Sequence, residues 1–476
     1  MSTILPSISR VAIIGAGAGG LVAARALREQ NHFTKIDVYE RRGDVGGVWN
    51  YTPQSASVHV PSTDVTRDEE PVEVEIDGNG NTMKKRVWVS AMYNSLETNI
   101  PKTLMCYPTH AFPAELPLFP GHDAVCDYLK DYAKDLRDMI TFNTNVTHIT
   151  PSESGSGWTL TLSTMPQTWK SPETSETLLE TEKEEKETYT LTYDALIIAS
   201  GHYNTPFIPS IPGITSTHIP LEHSINFRLA STYVGKKVIL VGNSVSGLDI
   251  ASQLLPYVSH PLLQSVRTAP EHPDDSPVIK TVPQITEFRG HNEVVFADGT
   301  VESGVDLVLF CTGYLYTLPF LNPTPSSSTG ERVTGTWQHL FSIQHPTLAF
   351  LGLPMKVIPF PVSQSQAAVV ARVFAGVTKL PGREEMEEWE RKRVMECGDG
   401  KGFHNFGYPK DVGYMDWLEE MAKGPGLQPT MWREKERWMR SLTPEIKRDF
   451  GRAKKQGVVV RRMEELGYVF EESSRL

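Results

Sequence analysis

The chain has 476 residues, enough for about two to four domains with buried cores at roughly 150 residues each. Hydrophobic residues make up 39% and charged residues 22%, the proportions of a water-soluble globular protein. A net charge of -11 argues against nucleic acid or an anionic membrane as the main partner, and no apolar run reaches the ~18 residues that would span a bilayer.

The four cysteines, Cys106, Cys126, Cys311 and Cys397, form no CxxC pair, so neither a redox dithiol nor a zinc site is expected, and no other metal site is read. Their sparseness suits a reducing compartment. The start, "MSTILPSISR", lacks the apolar core of a signal peptide, so the expected location is the cytoplasm. The last residues, Ser474, Arg475 and Leu476, resemble a peroxisomal address, which makes the peroxisome the alternative.

In chain order, "VAIIGAG" is an apolar run ending in glycine, "LVAARALREQ" has helical apolar spacing and "KIDVYE" is a second strand. "VEVEIDGNGNTMKKRVWV" alternates on both sides of a glycine turn, as a hairpin does, and "FPGHDAVCDYLKDYAKDL" is a helix opened by a turn. "GWTLTLST" and "TYTLTYDALIIAS" are strands on either side of a polar, mixed-charge loop. "YNTPFIPSIPGI" is stiffened by proline and suits a crossing between domains. A second strand–helix–strand unit runs from Lys236 to about Ala269. "VVFADGTVESGVDLVLFCTGY" then gives a hairpin and a buried strand, and a strand-and-helix pattern continues through "SQAAVVARVFAGV". Charged amphipathic helices such as "REEMEEWERKRVMEC" close the chain. The fold class expected is α/β with two Rossmann-like nucleotide-binding domains, the second inserted into the first: 1–205, 206–325, and a return to the first domain plus helices over 326–476.

The two units carry matching glycine turns. Gly15, Gly17 and Gly20 fit GxGxxG between strand and helix, where glycines allow a tight turn, backbone approach to a pyrophosphate and close helix packing. Glu40 stands 20 residues after Gly20, where an acid accepts from a ribose diol. In the second unit Gly242 and Gly247 hold the first and third positions and Ser244 replaces the middle one, with a hydroxyl that can donate to phosphate at the cost of a slightly larger turn. Ser246 precedes Gly247 and can reach a phosphate oxygen as well. Arg267 stands 20 residues after Gly247, and an arginine there suits an added 2′-phosphate. The first site therefore reads as one for FAD or NAD and the second as one for NADPH. "GNSVS" also approaches a GxSxG nucleophile elbow, but that reading leaves the first turn unexplained.

With these turns, the segments "YERRGDVGGVW", "YNSLETNIPK", "DALIIASGHYNTPFIPSIPG", "EHSINFR", "LVLFCTGY" and "FPVSQSQAAVVARV" make the chain resemble the flavin-containing monooxygenases, particularly the soluble fungal type, from about Val11 to Gly382. The resemblance implies FAD and NADPH as cofactors. It places Val48 and Trp49 near the flavin, Thr98 and Asn99 at the flavin–nicotinamide junction, Val146 beside the adenine through its backbone, and Gln366 at the C-terminal return to the flavin. It also places His223 and Ser224 in the nucleotide-binding "HSINF" motif. Two positions depart from the family signature, Thr217 for a phenylalanine and Ile219 for a glycine, and Ser200 stands where a threonine is usual.

The implied activity is oxygenation of soft nucleophiles, at nitrogen or sulfur, by O₂ and NADPH through a flavin hydroperoxide, with Asn99 as the hydrogen-bonding catalytic residue. The alternatives are a Baeyer–Villiger reaction on ketones, disfavoured by Phe227 where tryptophan would stand, and a non-catalytic NADPH-binding flavoprotein. A flavin dithiol oxidase is disfavoured by the missing CxxC. The expected partners are a small-molecule substrate and O₂. No residue pattern identifies that substrate or fixes the oligomeric state, a homodimer being compatible.

Overall fold

The computed structural model describes residues 2–53, 70–78, 81–152, 157–165, 168–170, 187–268 and 277–471. The tripeptide at 474–476 and most of the polar loop after Met165 lie outside the described residues.

The elements that frame the site are, in chain order, β1 (Arg10–Ile14), α1 (Ala18–Glu29), β2 (Lys35–Tyr39), α2 (His122–Tyr132), β3 (Ile140–Thr141), β4 (Ala195–Ile198), β5 (Leu221–His223), β6 (Val238–Val241), α3 (Val245–Leu254), β7 (Leu262–Val266), β8 (Ile279–Pro283), β9 (Leu307–Phe310), β10 (Thr336–Trp337), β11 (Phe341–Ser342) and β12 (Leu348–Phe350). Helices α4 (Pro359–Phe374), α5 (Arg383–Cys397), α6 (Lys410–Met421), α7 (Glu434–Ser441) and α8 (Thr443–Lys455) follow.

These strands form two separate sheets. One has the order β10-β11-β12-β4-β1-β2-β3 and is parallel from β12 to β3. The other, β5-β9-β6-β7-β8, is parallel throughout and lies in sequence between β4 and β10 of the first. The chain leaves for the second sheet at Thr205–Pro206 and returns at Tyr314–Leu315, and these two crossings pair with each other as a short antiparallel ribbon. Central strands β4 and β9 are buried at every position, which is why both read as unbroken apolar runs.

One expectation is corrected. "TYTLTYDALIIAS" is two strands in two sheets: Thr188–Tyr193 pairs antiparallel with Trp158–Thr164, and only Ala195–Ile198 enters the parallel sheet. The break is at Asp194, whose carboxylate accepts the N–H groups of Ser9 and Arg10, both at 2.8 Å, and so pins the change of direction against β1.

Helix α4 packs on α1 and is buried at every residue from Phe360 to Phe374. Its apolar majority suits a core position, and two of its buried polar members, Arg372 and Ser365, are hydrogen-bonded. Arg372 donates to the carbonyls of Ala368, Leu427 and Gly424, and Ser365 Oγ accepts the Thr430 N–H at 3.0 Å. The C-terminal segments thus roof the first sheet. No helix among the described residues is long and apolar enough to cross a membrane.

Candidate functional site

At the C-terminal end of β1 the chain turns through Gly15 and Gly17 into α1. Gly15 lies at φ +103°, and a Cβ there would sit 2.6 Å from the Ala199 carbonyl oxygen; a Cβ on Gly20 would sit 1.8 Å from that of Gly15. Both positions therefore require glycine. Gly17 is the N-cap of α1, no side chain caps it, and the first turn holds no acid, so the positive helix end is left for an anion.

Glu40 follows β2 directly and is 3% exposed. Its Oε2 accepts the Ala16 N–H and its Oε1 the Arg42 N–H, both at 2.8 Å, which fixes the carboxylate beside the turn with lone pairs left for hydroxyl donors. The Glu40 backbone bonds Thr141 and Thr144, drawing the strand Thr144–Pro151, with buried Val146, across the same end.

Gly46 and Gly47 pass over this turn. The Gly46 N–H donates to the Ala16 carbonyl at 3.0 Å, and a Cβ on Gly47 would lie 3.0 Å from Gly17 Cα. Val48 and Trp49 follow in a short 3₁₀ turn, half-buried, with Trp49 edge-on to Phe360. The glycine turn, the uncapped helix and Glu40 together fit a dinucleotide with an unphosphorylated ribose.

The second sheet repeats this geometry almost bond for bond. Gly242 lies at φ +116° with a Cβ position 2.7 Å from the Cys311 carbonyl oxygen, and a Cβ on Gly247 would meet the Gly242 oxygen at 2.5 Å. The Gly242 N–H reaches Ser265 at 2.9 Å as the Gly15 N–H reaches Tyr39 at 2.8 Å. Ser244 has φ -83° and ψ -174°, against -76° and -172° at Gly17. The serine does not enlarge the turn, contrary to expectation, because this position never leaves the conformation open to L residues.

Ser244 and Ser246 are exposed at the start of α3, which again has no side-chain cap and no acid in its first turn. Arg267, exposed, follows β7 as Glu40 follows β2 and makes no ion pair with a described residue. Lys401, which no sequence signal marked, reaches the same end from the loop between α5 and α6, with Nζ 3.1 Å from the Phe207 ring centroid. Burial brings its pKa down to about 8, against the pull of Glu331 and reinforced by the Arg267 charge.

Between the two sheets stand His202, Tyr203, Tyr314, Tyr316 and His223 in mutual ring contact. Tyr203 is 45% exposed, yet surrounding protein pushes its phenol pKa up. His223 is fully buried. Its Nε2–H donates to the Gly313 carbonyl at 3.0 Å and its Nδ1 accepts the Ile225 N–H at 3.2 Å, so it is neutral, with burial lowering its pKa to about 4. Neither nitrogen is left for a ligand. Ser224 is buried beside it, near Tyr314. Arg228 continues the motif and ties it to the Ser90 and Met92 carbonyls. The departing residues serve the packing of this loop: Ile219 is 4% exposed, and Thr217 bonds Gly213 and His291.

The segment that carries Thr98 and Asn99 is held from several sides. The Tyr93 hydroxyl donates to Asp249 of α3, and Gln253 of α3 donates to the Ser95 carbonyl at 3.3 Å. The His122 N–H donates to Leu96 at 3.1 Å while the His122 ring lies 4.9 Å from that of Tyr51, which joins the segment to the chain just beyond Trp49. Thr98 is buried, its Oγ1 donating to the Ile100 carbonyl; Asn99 is exposed. An open cavity of about 320 Å³, lined by residues 94–97, 121–123 and Lys454, adjoins this segment. Gln366 is not at the open mouth. Fully buried, it accepts the Gly352 N–H and donates to the Tyr414 hydroxyl, both at 3.0 Å, and so braces the loop after β12.

Comparison with known proteins agrees with this geometry. Residues 83–269 and 276–433 match the family described as flavin-binding monooxygenase-like, and residues 13–61 match the NAD(P)-binding Rossmann-like domain. The chain is 32% identical to Flavin-containing monooxygenase FMO GS-OX-like 7 of Arabidopsis thaliana over 90% of this chain and 86% of that one. It is 30% identical to the Thiol-specific monooxygenase of Saccharomyces cerevisiae over 90% and 89%. The structure of S-allyl-L-cysteine S-oxygenase from Allium sativum superposes with a TM-score of 0.73 at 26% identity, covering 98% of each chain.

Proposed function

The chain belongs to the flavin-binding monooxygenase-like family, with FAD and NADPH as its cofactors, and from that premise we propose that it oxygenates a soft nucleophile of a small-molecule substrate, sulfur before nitrogen. What supports this reading above all is the opposite chemistry of Glu40 and Arg267 at equivalent ends of two otherwise matching units. One accepts hydroxyls and the other attracts a phosphate, so the two crevices differ in the dinucleotide they admit. The names of similar proteins, a thiol-specific monooxygenase and an S-allyl-L-cysteine S-oxygenase, favour sulfur.

When bound, FAD reduced by NADPH supplies the activation of O₂ that delivers one oxygen atom to the substrate. The chain's own residues bind, orient and shield. Gly15, Gly17 and Glu40 would hold the first dinucleotide, with Gly46 to Trp49 beside it. Ser244, Ser246 and Arg267 take the phosphates of the second, and Lys401 adds positive charge there. The ring contacts of His202, Tyr203, Tyr314 and Tyr316 would help to shield the place where the two meet. Asn99 offers a neutral amide as hydrogen-bond partner to the reacting centre, so no charged acid or base is needed.

A Baeyer–Villiger reading has only the fold on its side, since cyclohexanone monooxygenase superposes with a TM-score of 0.52 at 13% identity. Phe227, fully buried between Tyr93 and Tyr233, supplies no polar group to the site. The test is to reconstitute the protein with FAD and follow NADPH oxidation and oxygenated product with panels of thiols and sulfides, amines, and ketones. Sulfoxide or sulfenate products in preference to lactones or esters are expected. A protein that takes up no FAD, or that oxygenates ketones alone, sinks the reading.

A further inference from the structure

We propose that Lys447, on α8, is a positioning residue for this reaction: it fixes the peptide plane from which Asn99 springs, and so sets how much of the NADPH oxidised ends in oxygenated product. The inference rests on the functional reading above and extends it to a residue at the far end of the chain.

Lys447 Nζ donates to the Thr98 carbonyl at 2.8 Å, across 349 residues of sequence. It stands 3.7 Å from Glu97, which Lys454 of the same helix also pairs at 2.6 Å. The ammonium lies 4.5 Å from the Phe119 ring centroid and 5.4 Å from that of Phe450, and partial burial lowers its pKa against the pull of Glu97 and Asp249. Desolvating a lysine in this way is unfavourable unless its few partners are well placed, and the Thr98 carbonyl is the nearest of them.

That carbonyl and the Asn99 N–H belong to one planar peptide unit, so holding the oxygen orients the Asn99 backbone. The other side of Thr98 is fixed as well, its N–H donating to the Pro120 carbonyl at 2.9 Å. Asn99 itself is exposed and makes no hydrogen bond with a described residue, so the direction of its side chain is inherited from the backbone beneath it. Upstream, Tyr93 and Ser95 are tied to α3, whose first turn faces the second crevice. The loop is therefore clamped between the nicotinamide side and α8, with Lys447 as the clamp adjoining Asn99.

The experiment compares Lys447→Met, which keeps the stem and removes the charge, with Lys447→Arg, which keeps a donor, and with Arg452→Met as a surface-charge control on the same helix. Hydrogen exchange of the peptide spanning residues 96–102 is measured on FAD-loaded protein, together with hydrogen peroxide and product formed per NADPH and the rate of flavin reduction. For Lys447→Met, exchange of that peptide should rise about 10-fold and peroxide per NADPH at least about 3-fold, with flavin reduction and the NADPH KM within about 2-fold of wild type. Lys447→Arg should restore most of the coupling, and Arg452→Met should match wild type. Unchanged exchange and unchanged peroxide in Lys447→Met overturn the proposal, as does a parallel loss of flavin reduction, which would mark general damage. Should the wild type itself oxygenate nothing, the functional reading fails, and the exchange result alone judges whether Lys447 holds the loop.

Discussion

Removing the Arg267 guanidinium tests the assignment of the second crevice directly. The residue is exposed, so its pull on a 2′-phosphate is that of charges in water. At 4 Å this is about 1 kcal/mol per unit charge, and a phosphate carrying roughly 1.5 to 2 charges gains about 1.5–2 kcal/mol. Arg267→Ala should therefore raise the KM for NADPH about 10- to 30-fold. NADH lacks the phosphate and serves as the second arm of a double-mutant cycle, and its KM should move by less than about 2-fold. Lys401 remains nearby and bounds the loss from above. The assay is stopped-flow reduction of the bound flavin over a range of each coenzyme, so that later steps do not enter. An NADPH-to-NADH selectivity that survives the substitution within about 2-fold would refute the assignment.

Gly242→Ala forces a side chain to φ +116° and to within 2.7 Å of the Cys311 carbonyl oxygen, so it should cost about 1–3 kcal/mol of stability and weaken NADPH binding while FAD content, measured by absorbance, stays near wild type. Ser244→Gly, at ordinary angles, should shift thermal stability by less than about 1 kcal/mol. Asn99→Leu should leave flavin reduction intact and divert oxidation to peroxide, read as the product-to-peroxide ratio. Burial lowers the pKa of His202 and His223 to about 4, so both are neutral when folded, while the unfolded chain binds their protons below about 6.5. Stability should thus be fully present above pH 6.5 and fall by up to about 1.4 kcal/mol per histidine per pH unit towards pH 4, a slope that denaturant titration at pH 7, 6 and 5 would measure.

Much of the fold was readable because its strongest demands are local. Gly20 and Gly247 are required by the carbonyls of Gly15 and Gly242 five residues earlier, and Glu40 and Arg267 stand at fixed distances along the chain from those turns. What escaped depends on contacts between distant segments. The break at Asp194 is set by amides of Ser9 and Arg10, and nothing near "TYDAL" announces it. The motifs of His223 and Gln366 do not announce the bonds that each makes to the protein's own backbone or to Tyr414. Lys401 and Lys447 lie among many charged residues in the C-terminal third. Only folding shows which of them point inward.

The paired crossings at Thr205–Pro206 and Tyr314–Leu315 have a mechanical consequence. Two independent tethers would leave the second sheet free to slide and swing; two tethers paired side by side restrict it as one connection. Away from the crossings in sequence, the second unit is also tied to the first through Tyr93 to Asp249, Gln253 to Ser95, and Arg228 to the Ser90 and Met92 carbonyls. Removing those side-chain ties would leave the paired crossings to hold the second sheet in place against the first.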